Sequence, residues 1–427
     1  MMDFSRMIGV CILVLLCAAS LAADESVPAR AVSGLVSQLN AASRVEREAA
    51  ERKLIELGPD VLDALPRSSS DPATNAALSR IRKRLSKQRA TDQATRPRAV
   101  SIVGTGPLGD VAANWLDDEG LPRIALSPEQ KSRRVSLKLQ NVSYWKAIDR
   151  MTEEAGLWPA GWDQSGRLTF RERTSEDGEI RLAYPGAFRV AGGAVTVKAL
   201  PGGTENVLYR LPLEIRAEPG VRPLFIMYAA ESGALIGEDG TRLEAFTPGA
   251  TYELPVGEAG GLARLRLDFA GPSAKEPFTF TGRFQATIAS RDAPFAFELS
   301  RGSSPSVEQT RGEVTVRLQS VTWNDDQSIE IAIAAIYAGV KSTFESYRTW
   351  VYHNDAILII ERNNGETSRI PHEPAFDTVA QSPGALLLRY RFENVPADAE
   401  ELRFEYRAPT EVIEAPLDVE LEGLAVE

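Results

Sequence analysis

The spacing of apolar residues changes along the chain and divides it into three parts. From Val32 to Leu85 apolar residues recur at broadly helical spacing, and Gly58 and Pro59 interrupt them. Between Val100 and Arg173 helical and alternating patterns are mixed. From Gly178 onward, short alternating runs separated by glycine and proline are typical of antiparallel strands. The chain is therefore predicted to be a multidomain α+β protein, helical at its start and built from β-sandwiches at its end.

The central part contains two predicted helices, each ended by a glycine. The first begins at Pro107, ends at Gly120 and has one apolar stripe: Leu108, Val111, Ala112, Trp115 and Leu116. The second has Ser143 as its N-cap and Gly156 as its end, with these inward residues: Ala147, Ile148, Met151 and Ala155. Alternation over Val135 to Leu139 predicts a strand between them. Two further strands, Leu157–Trp162 and Leu168–Phe170, flank a hairpin turn at residues 163–166.

A glycine motif in this part offers a second interpretation. Gly104, Gly106 and Gly109 form G-x-G-x-x-G between a predicted strand and helix, as in dinucleotide-binding folds. Glu129 follows about twenty residues later, where those folds have an acidic residue that binds the ribose. Pro107, however, lacks one of the N–H donors that would face a pyrophosphate. No further strand–helix–strand units follow to build a parallel sheet, so no cofactor-binding residue is assigned.

The central pattern resembles a known interaction domain. The run R-R-V-S-L-K-L-Q-N-V-S-Y-W-K-A-I-D-R-M-T-E-E-A-G-L, with the strand, turn and helix before it, resembles the short N-terminal (STN) domain of secretins and TonB-dependent receptors. The resemblance covers residues 100–174 and implies a small periplasmic βαβ-type domain that contacts partner proteins and carries no catalytic residues. No secretin domain or membrane barrel follows it, which leaves an interaction module. Residues 27–90 contain R-E-A-A-E-R-K-L-I-E-L-G-P-D-V-L-D-A-L, which resembles one unit of a HEAT-like helical repeat.

The last part predicts two antiparallel sandwiches of the immunoglobulin or fibronectin kind, at residues 178–302 and 308–427. Its predicted strands are Ala194–Leu200, Leu211–Ile215, Pro223–Tyr228, Leu262–Phe269, Phe278–Ile288 and Phe295–Leu299. The two halves also match each other. A-V-T-V-K from Ala194 matches E-V-T-V-R from Glu313, and A-P-F-A-F-E-L from Ala293 matches A-P-L-D-V-E-L from Ala415. These matches predict a duplicated domain.

The first residues predict export. Residues 1–23 combine Arg6, a short apolar run and a small-residue end, which is typical of a cleavable signal peptide and too short to span a membrane. Cys17 follows Leu16, where a lipoprotein signal wants a small residue, so lipid anchoring is not expected. The only cysteines, Cys11 and Cys17, lie in this signal, so the mature chain has no disulfide or cysteine ligand. We expect a periplasmic or secreted protein without a membrane span in its mature part.

A basic run covers residues 80–98, where eight lysines and arginines stand against Asp92 alone. One interpretation is an anionic partner such as cell-wall polymer. The other, which the absence of interleaved aromatic residues favours, is a solvated helix end entering a linker at residues 91–99. The net charge of −11 also argues against nucleic acid as a partner.

Candidate catalytic chemistry is scarce. His353 and His372 are the only histidines, and no serine in a nucleophile turn accompanies them. Two histidines without cysteines make a zinc site improbable. The acidic groups at 117–119, 153–154 and 325–326 are interpreted as solvated turn or helix-end residues. We therefore assign no catalytic, cofactor-binding or metal-ligating residue, expect no cofactor, and expect that the protein is not an enzyme.

Two functional hypotheses remain. The first is an exported, non-catalytic protein that binds an envelope protein through the STN-like domain and the sandwiches. The alternative is a binder of cell-wall polysaccharide through the sandwiches, which exposed aromatic rings on one face would support. The tryptophans to examine are Trp145, Trp158, Trp162, Trp323 and Trp350.

Overall fold

The computed structural model describes most of the chain, in two compact units. The described residues are 29–113, 124–163, 167–174, 178–200, 206–256, 262–301, 307–337, 354–361, 367–373, 377–382, 384–396 and 401–427. The predicted signal peptide, the end of the first central helix at Gly120, and the turn residues 164–166 lie outside them. One unit is Met1–Asp92 and the other is Gln93–Glu427.

The first unit is helical, as predicted. Its elements are α1 (Ala29–Gln38), α2 (Arg44–Glu56), a 3-10 helix (Pro59–Ala64) and α3 (Pro72–Thr95), which runs past the end of the unit. Their apolar stripes meet in one small core that includes Val32, Leu54, Val61, Ile81 and Leu85. The break between α2 and the 3-10 helix falls at Gly58, whose φ of 80° places it in the left-handed region that favours glycine. The HEAT-like resemblance of this unit stays a prediction.

Several side chains of the basic run are used inside this unit. Arg80 pairs with Glu51 at 2.7 Å. Arg82 donates to the carbonyl oxygen of Leu65 at 3.0 Å, and Arg89 donates to the first carbonyl of the 3-10 helix at 2.7 Å. Arg82 and Arg89 thus bond backbone carbonyl groups of the loop and the 3-10 helix, and the charge of Arg80 is paired with a carboxylate. The intramolecular contacts favour the interpretation of the run as part of a helix rather than a polymer-binding patch.

The predicted linker at residues 91–99 is mostly regular structure, which corrects that prediction. Helix α3 continues to Thr95, and the first strand begins at Ala99. The segment after Leu85 is polar, but it is rich in lysine, glutamine, arginine and alanine and holds no proline before Pro97. Because these residues have high helix propensity, polarity alone did not mark the end of the helix.

The central domain begins the second unit. Its elements are β1 (Ala99–Pro107), α4 (Leu108–Val111), β2 (Ile124–Ala125), α5 (Pro128–Ser132), β3 (Arg134–Ser143), α6 (Tyr144–Ala155), β4 (Leu157–Trp162) and β5 (Leu168–Glu172). Strands β1 and β3 pair antiparallel, while β5 pairs antiparallel with β4 and parallel with β2. The apolar faces of these strands and of α6 form one core, in which Trp145 and Ile148 are buried.

The predicted strand–helix–hairpin order is confirmed around α6. Helix α6 follows Ser143 and ends at Gly156, whose φ of 65° gives the left-handed ending that a glycine allows. All four predicted inward residues of α6 are buried. Two details differ at the first helix: Gly104 and Gly106 lie within β1, and Pro107 is the N-cap of α4 rather than its first residue. A glycine motif inside an antiparallel strand does not form a phosphate-binding loop.

The rest of the second unit is β-structure. Its first ten strands are β6 (Arg181–Ala183), β7 (Phe188–Gly192), β8 (Thr196–Ala199), β9 (Val207–Ala217), β10 (Arg222–Ile236), β11 (Arg242–Ala245), β12 (Thr251–Pro255), β13 (Leu262–Gly271), β14 (Phe278–Ser300) and β15 (Glu308–Arg311). The remaining seven are β16 (Val314–Trp323), β17 (Ile329–Tyr337), β18 (Asp355–Glu361), β19 (Thr367–Pro371), β20 (Asp377–Ser382), β21 (Ala385–Phe392) and β22 (Glu401–Leu424). The chain is thus mostly β and divided among several sheets, consistent with a multidomain α+β fold.

Within the described residues these strands form two sheets. The larger has the order β19-β18-β22-β14-β10-β11-β13-β9-β7-β6, with β12 added to β10 and β8 added to β9. The smaller has the order β15-β16-β17-β21-β20. In the large sheet β7 packs close to β22. The distance at Gly192 is so short that a Cβ at this position would lie 2.8 Å from the Leu421 side chain. The smaller sheet shares an apolar core with the second half of β14, the first half of β22 and β18.

Two long strands cross the predicted border between the sandwiches. Strands β14 and β22 pair antiparallel from Phe278 with Leu424 to Ser300 with Glu401, with register shifts near Arg291. The predicted strands Phe278–Ile288 and Phe295–Leu299 are therefore one continuous element. The division at residues 302–308 does not coincide with a break in the large sheet.

No helix in the described part of the chain is long and apolar enough to cross a membrane.

Candidate functional site

Helix α6 carries a second stripe of residues beside its apolar one. Lys146, Asp149, Arg150 and Glu153 recur at i, i+3, i+4 and i+7, so they share one face of the helix. This spacing places a polar stripe next to the buried stripe that packs into the central core. The polar stripe is turned toward the chain around β6, where its residues line a groove.

A second wall of that groove comes from the chain around β6. Ile180, Leu182 and Tyr184 alternate along the strand direction, so they lie on one face, and all three are half-buried. The groove has a volume of about 440 Å³ and is also lined by Trp158 of β4 and by Arg173. We call it the α6 groove. One side is charged and the other is apolar.

A buried ion pair fixes the two walls to each other. Arg189 of β7 is fully buried, and its Nε donates to the two carboxylate oxygens of Asp149 at 3.0 and 2.8 Å. Tyr184 donates its hydroxyl to the same carboxylate at 3.0 Å. The Arg189 guanidinium also lies over the Trp158 ring, 4.6 Å from its centroid. Because a buried charge is tolerated only with such partners, these contacts hold α6 and β7 in one arrangement.

The electrostatics of this network keep Tyr184 neutral. Burial, and next the neighbouring Asp149 carboxylate, raise the pKa of Tyr184 well above its ordinary value of 10.0. The hydroxyl therefore remains a proton donor to the carboxylate. Asp149 consequently has its charge and its oxygens engaged within the protein.

A second buried arginine lies directly opposite the first. Arg216 of β9 is the register partner of Arg189 and is also buried. Its Nε donates to Glu214 at 2.6 Å, and its Nη2 donates to the carbonyl oxygen of Ala160 in β4 at 3.2 Å. The contact to Ala160 is a second polar link, here between β9 and β4.

Glu218 makes a third link at the end of β9. Its carboxylate accepts the backbone N–H of Arg98 at 2.9 Å, just before β1. Burial raises the pKa of Glu218 from 4.5 to about 7, and the Arg98 N–H and charge oppose that rise only in part. The junction of β1 and β4 with β9 therefore contains a carboxyl whose pKa lies near 7.

Of the predicted histidines and tryptophans, the structure describes His372, Trp145, Trp158, Trp162 and Trp323, and of these only Trp158 lines the α6 groove. His372 follows β19, with its ring 5.1 Å from that of Tyr390 and in contact with the Glu373 carbonyl oxygen, while His353 lies outside the described residues. No group of three metal-ligating side chains occurs in the described ranges. Of the tryptophans, Trp145 is buried, Trp158, Trp162 and Trp323 are half-buried, and Trp350 falls outside the description.

The acidic groups singled out in the sequence do not come together at one place in the described part of the chain. Glu153 lines the α6 groove, and Asp326 pairs with Arg391 at 2.6 Å. Residues 117–119 fall in a range that is not described.

The sequence contains both faces of the α6 groove but not their contact. The charged positions of α6 at i, i+3, i+4 and i+7 share one face of the helix, a pattern that by itself indicates a solvent-exposed face. The alternating Ile180, Leu182 and Tyr184 mark an apolar strand face directly after the central domain. What the sequence could not give was that these two faces meet, because the contact depends on long-range packing of β7 against α6.

Comparisons with known proteins give no assignment. No known protein family matches the chain, and a search of curated proteins finds no match. Among solved structures the chain is similar to the C-terminal globular domain of an oligosaccharyltransferase from Pyrococcus abyssi, at 9% sequence identity and a TM-score of 0.15. The similarity covers 67% of this chain and 56% of that one. A TM-score this low supports no conclusion about fold or function.

Proposed function

We propose that this chain is an exported, non-catalytic interaction protein that binds an envelope protein at the α6 groove. The observation that carries the proposal is the groove itself, in which a charged helix face and an apolar strand face are held together by the buried Arg189–Asp149 pair. A surface with an apolar part and a few fixed polar groups is suited to specific binding. The resemblance of the central domain to STN domains leads to the same function.

The placement of the charges supports binding rather than catalysis. Asp149 is held by Arg189 and Tyr184, and Glu153 pairs with Arg150 at 2.6 Å. A general acid or base must be able to exchange its proton with a substrate, and both carboxylates already have protein partners. The exposed side chains at the groove are those that a partner protein would meet.

Two exposed aromatic rings, those of Phe246 and Tyr252, favour the polysaccharide alternative. Phe246 is 51% exposed and Tyr252 of β12 is 36% exposed, and the Tyr252 ring stacks on that of Tyr228 at 6.2 Å. Exposed aromatic rings are the groups that stack on sugars. Phe246→Ala with Tyr252→Ala should reduce retention on insoluble cell-wall polymer if this alternative is correct, and should leave it unchanged otherwise.

Photo-crosslinking tests the main proposal without removing a domain. A photoreactive amino acid at Glu153 lies in the groove and is exposed, while the same amino acid at Val379 of β20 lies on the second sandwich and is 43% exposed. In envelope extract, the groove probe should form a discrete crosslinked protein band that the Val379 probe does not form. If both probes crosslink the same proteins, or only Val379 does, the α6 groove is not the binding site.

A further inference from the structure

The α6 groove contains charges of both signs, but they differ in what they contact. Its two carboxylates are neutralised by partners within the chain: Asp149 by buried Arg189, and Glu153 by Arg150. Neither therefore offers a free negative charge to a ligand. Their partner cations are equally engaged.

Two further cations lie at the groove and form no ion pair within the described part of the chain. Lys146 of α6 is exposed, and its ammonium lies 5.5 Å from the centroid of the Tyr184 ring. Arg173, just after β5, is also exposed and uses its backbone N–H to bond the Gly156 carbonyl oxygen. The two groove charges without an internal counter-charge are therefore both positive, although the acidic and basic residues that line the groove are nearly equal in number.

The apolar side of the groove supplies the second requirement. Ile180, Leu182 and Tyr184 present one face of an extended segment, and Trp158 adds an aromatic ring. All four are half-buried, so a ligand that covers them removes further apolar surface from water. A purely ionic ligand would leave this surface exposed, and a purely apolar ligand would leave the two cations without a counter-charge.

Resting on the proposed function, we infer that the occupant of the α6 groove is an acidic segment of a partner protein that carries apolar side chains. Its apolar side chains cover Leu182 and its neighbours, and its carboxylates pair with Lys146 and Arg173. Such charge complementarity increases the rate of association and the specificity, while the apolar contact supplies much of the affinity.

The test uses a synthetic probe rather than an extract. The probe is a short fluorescein-labelled peptide in which leucine alternates with aspartate, and its binding to the full chain is measured by fluorescence anisotropy. One control peptide has lysine in place of aspartate, and another has serine in place of leucine. The leucine–aspartate peptide should bind, and each control should bind at least about tenfold more weakly, because each lacks one of the two required contacts.

Charge reversal at Lys146 and Arg173 tests whether the peptide binds in the α6 groove. Lys146→Glu with Arg173→Glu should weaken binding of the leucine–aspartate peptide at least about tenfold. The matched control is Lys198→Glu with Arg134→Glu, which changes the net charge equally at exposed positions outside the groove and should change binding less than about twofold. Leu182→Gln keeps both cations and should weaken binding through the apolar contact alone.

The outcomes separate this inference from the proposed function. Equal binding of the aspartate and lysine peptides, or equal effects of the two charge reversals, would overturn the acidic-segment inference. If the Glu153 probe still crosslinks a discrete protein in that case, the groove binds a protein of different chemistry. If the peptide does not bind and the Glu153 probe gives no band, both proposals fail.

Discussion

The core packed against the smaller sheet and the junction of α6 and β4 with β7 and β9 are stabilised in opposite ways. The core is built from apolar side chains of β10, β14, β16, β17, β18, β21 and β22, with tyrosine as its main polar component. The junction buries the charged groups of Arg189, Arg216, Asp149 and Glu218. Apolar packing stabilises many geometries, whereas a buried charge requires one partner at one distance. The comparison suggests that the core supplies stability and the junction fixes the geometry of the α6 groove.

The largest effect is expected in the apolar core. Phe404 of β22 is fully buried, and its ring packs against those of Phe297, Tyr390 and Phe392. Phe404→Ala should lower the free energy of unfolding by about 3 to 5 kcal/mol, because it removes apolar contacts and leaves a cavity. Urea unfolding followed by tryptophan fluorescence measures the change. Val379→Ala, on the exposed face of β20, is the control and should change stability by less than about 0.5 kcal/mol.

The next effect is expected at the junction. Asp149→Ala leaves the fully buried Arg189 without its counter-charge and should cost about 3 kcal/mol. Asp149→Leu combined with Arg189→Met removes both charges and should cost much less than Asp149→Ala. The same unfolding measurement on the double variant and on the single variants Asp149→Leu and Arg189→Met gives the interaction energy of the pair. Purely additive effects of the two sites would mean that the pair does not act as a unit, and the contrast with the apolar core would disappear.

A pH dependence should distinguish the junction from the core. Burial raises the folded-state pKa of Glu218 to about 7, above the 4.5 of a free glutamate, so the folded chain binds this proton more tightly than the unfolded chain. This contribution to stability is complete below about pH 4.5 and is lost as the pH rises through about 7. Glu218→Gln should therefore raise the free energy of unfolding by on the order of 1 to 2 kcal/mol at about pH 8 and change it little at about pH 4.

Thermal unfolding of both proteins across this range measures the difference. A constant difference between Glu218→Gln and the unaltered chain at every pH would show that the carboxyl is not the titrating group. Phe404→Ala provides the reference, since its effect involves no titrating group and should not depend on pH.

The smallest effect belongs to a local cap in the central domain, away from both regions compared. The Ser127 hydroxyl accepts the Gln130 backbone N–H at 3.2 Å, and the Gln130 side chain accepts the Ser127 N–H at 3.0 Å. Ser127→Ala should cost about 1 kcal/mol, since one N–H at the start of α5 loses its partner. Ser127→Thr keeps the hydroxyl and should cost less. If the two variants cost the same, the capping bond contributes nothing measurable.

Local elements were predictable where the sequence pattern alone determines them. Ser143, the inward residues of α6 and Gly156 defined that helix, because its periodicity and its ending are encoded within consecutive residues. The alternating Val135–Leu139 segment was equally clear and lies in β3. The helical spacing of apolar residues between Val32 and Leu85 was also sufficient to predict that the first unit is helical.

Elements that depend on distant residues were not predictable in the same way. The polar basic run predicts a linker at residues 91–99, but good helix formers carry α3 to Thr95. The joining of residues 278–288 and 295–299 into one strand depends on β22, which begins a hundred residues further on. The α6 groove could not be predicted for the same reason, since Asp149 and Arg189 come together only in the folded chain.

The reciprocal path of β14 and β22 has a consequence for the order of folding during synthesis. In the first half of β14, Phe280 pairs with Leu421 and Ile288 with Ile413, so the neighbour of this strand comes from residues 401–424. The ribosome makes β14 itself a hundred residues earlier. The large sheet therefore lacks the strand between β14 and β18 until residues 401–424 have been made. A nascent chain that stops before residue 401 consequently leaves one edge of β14 without its partner strand.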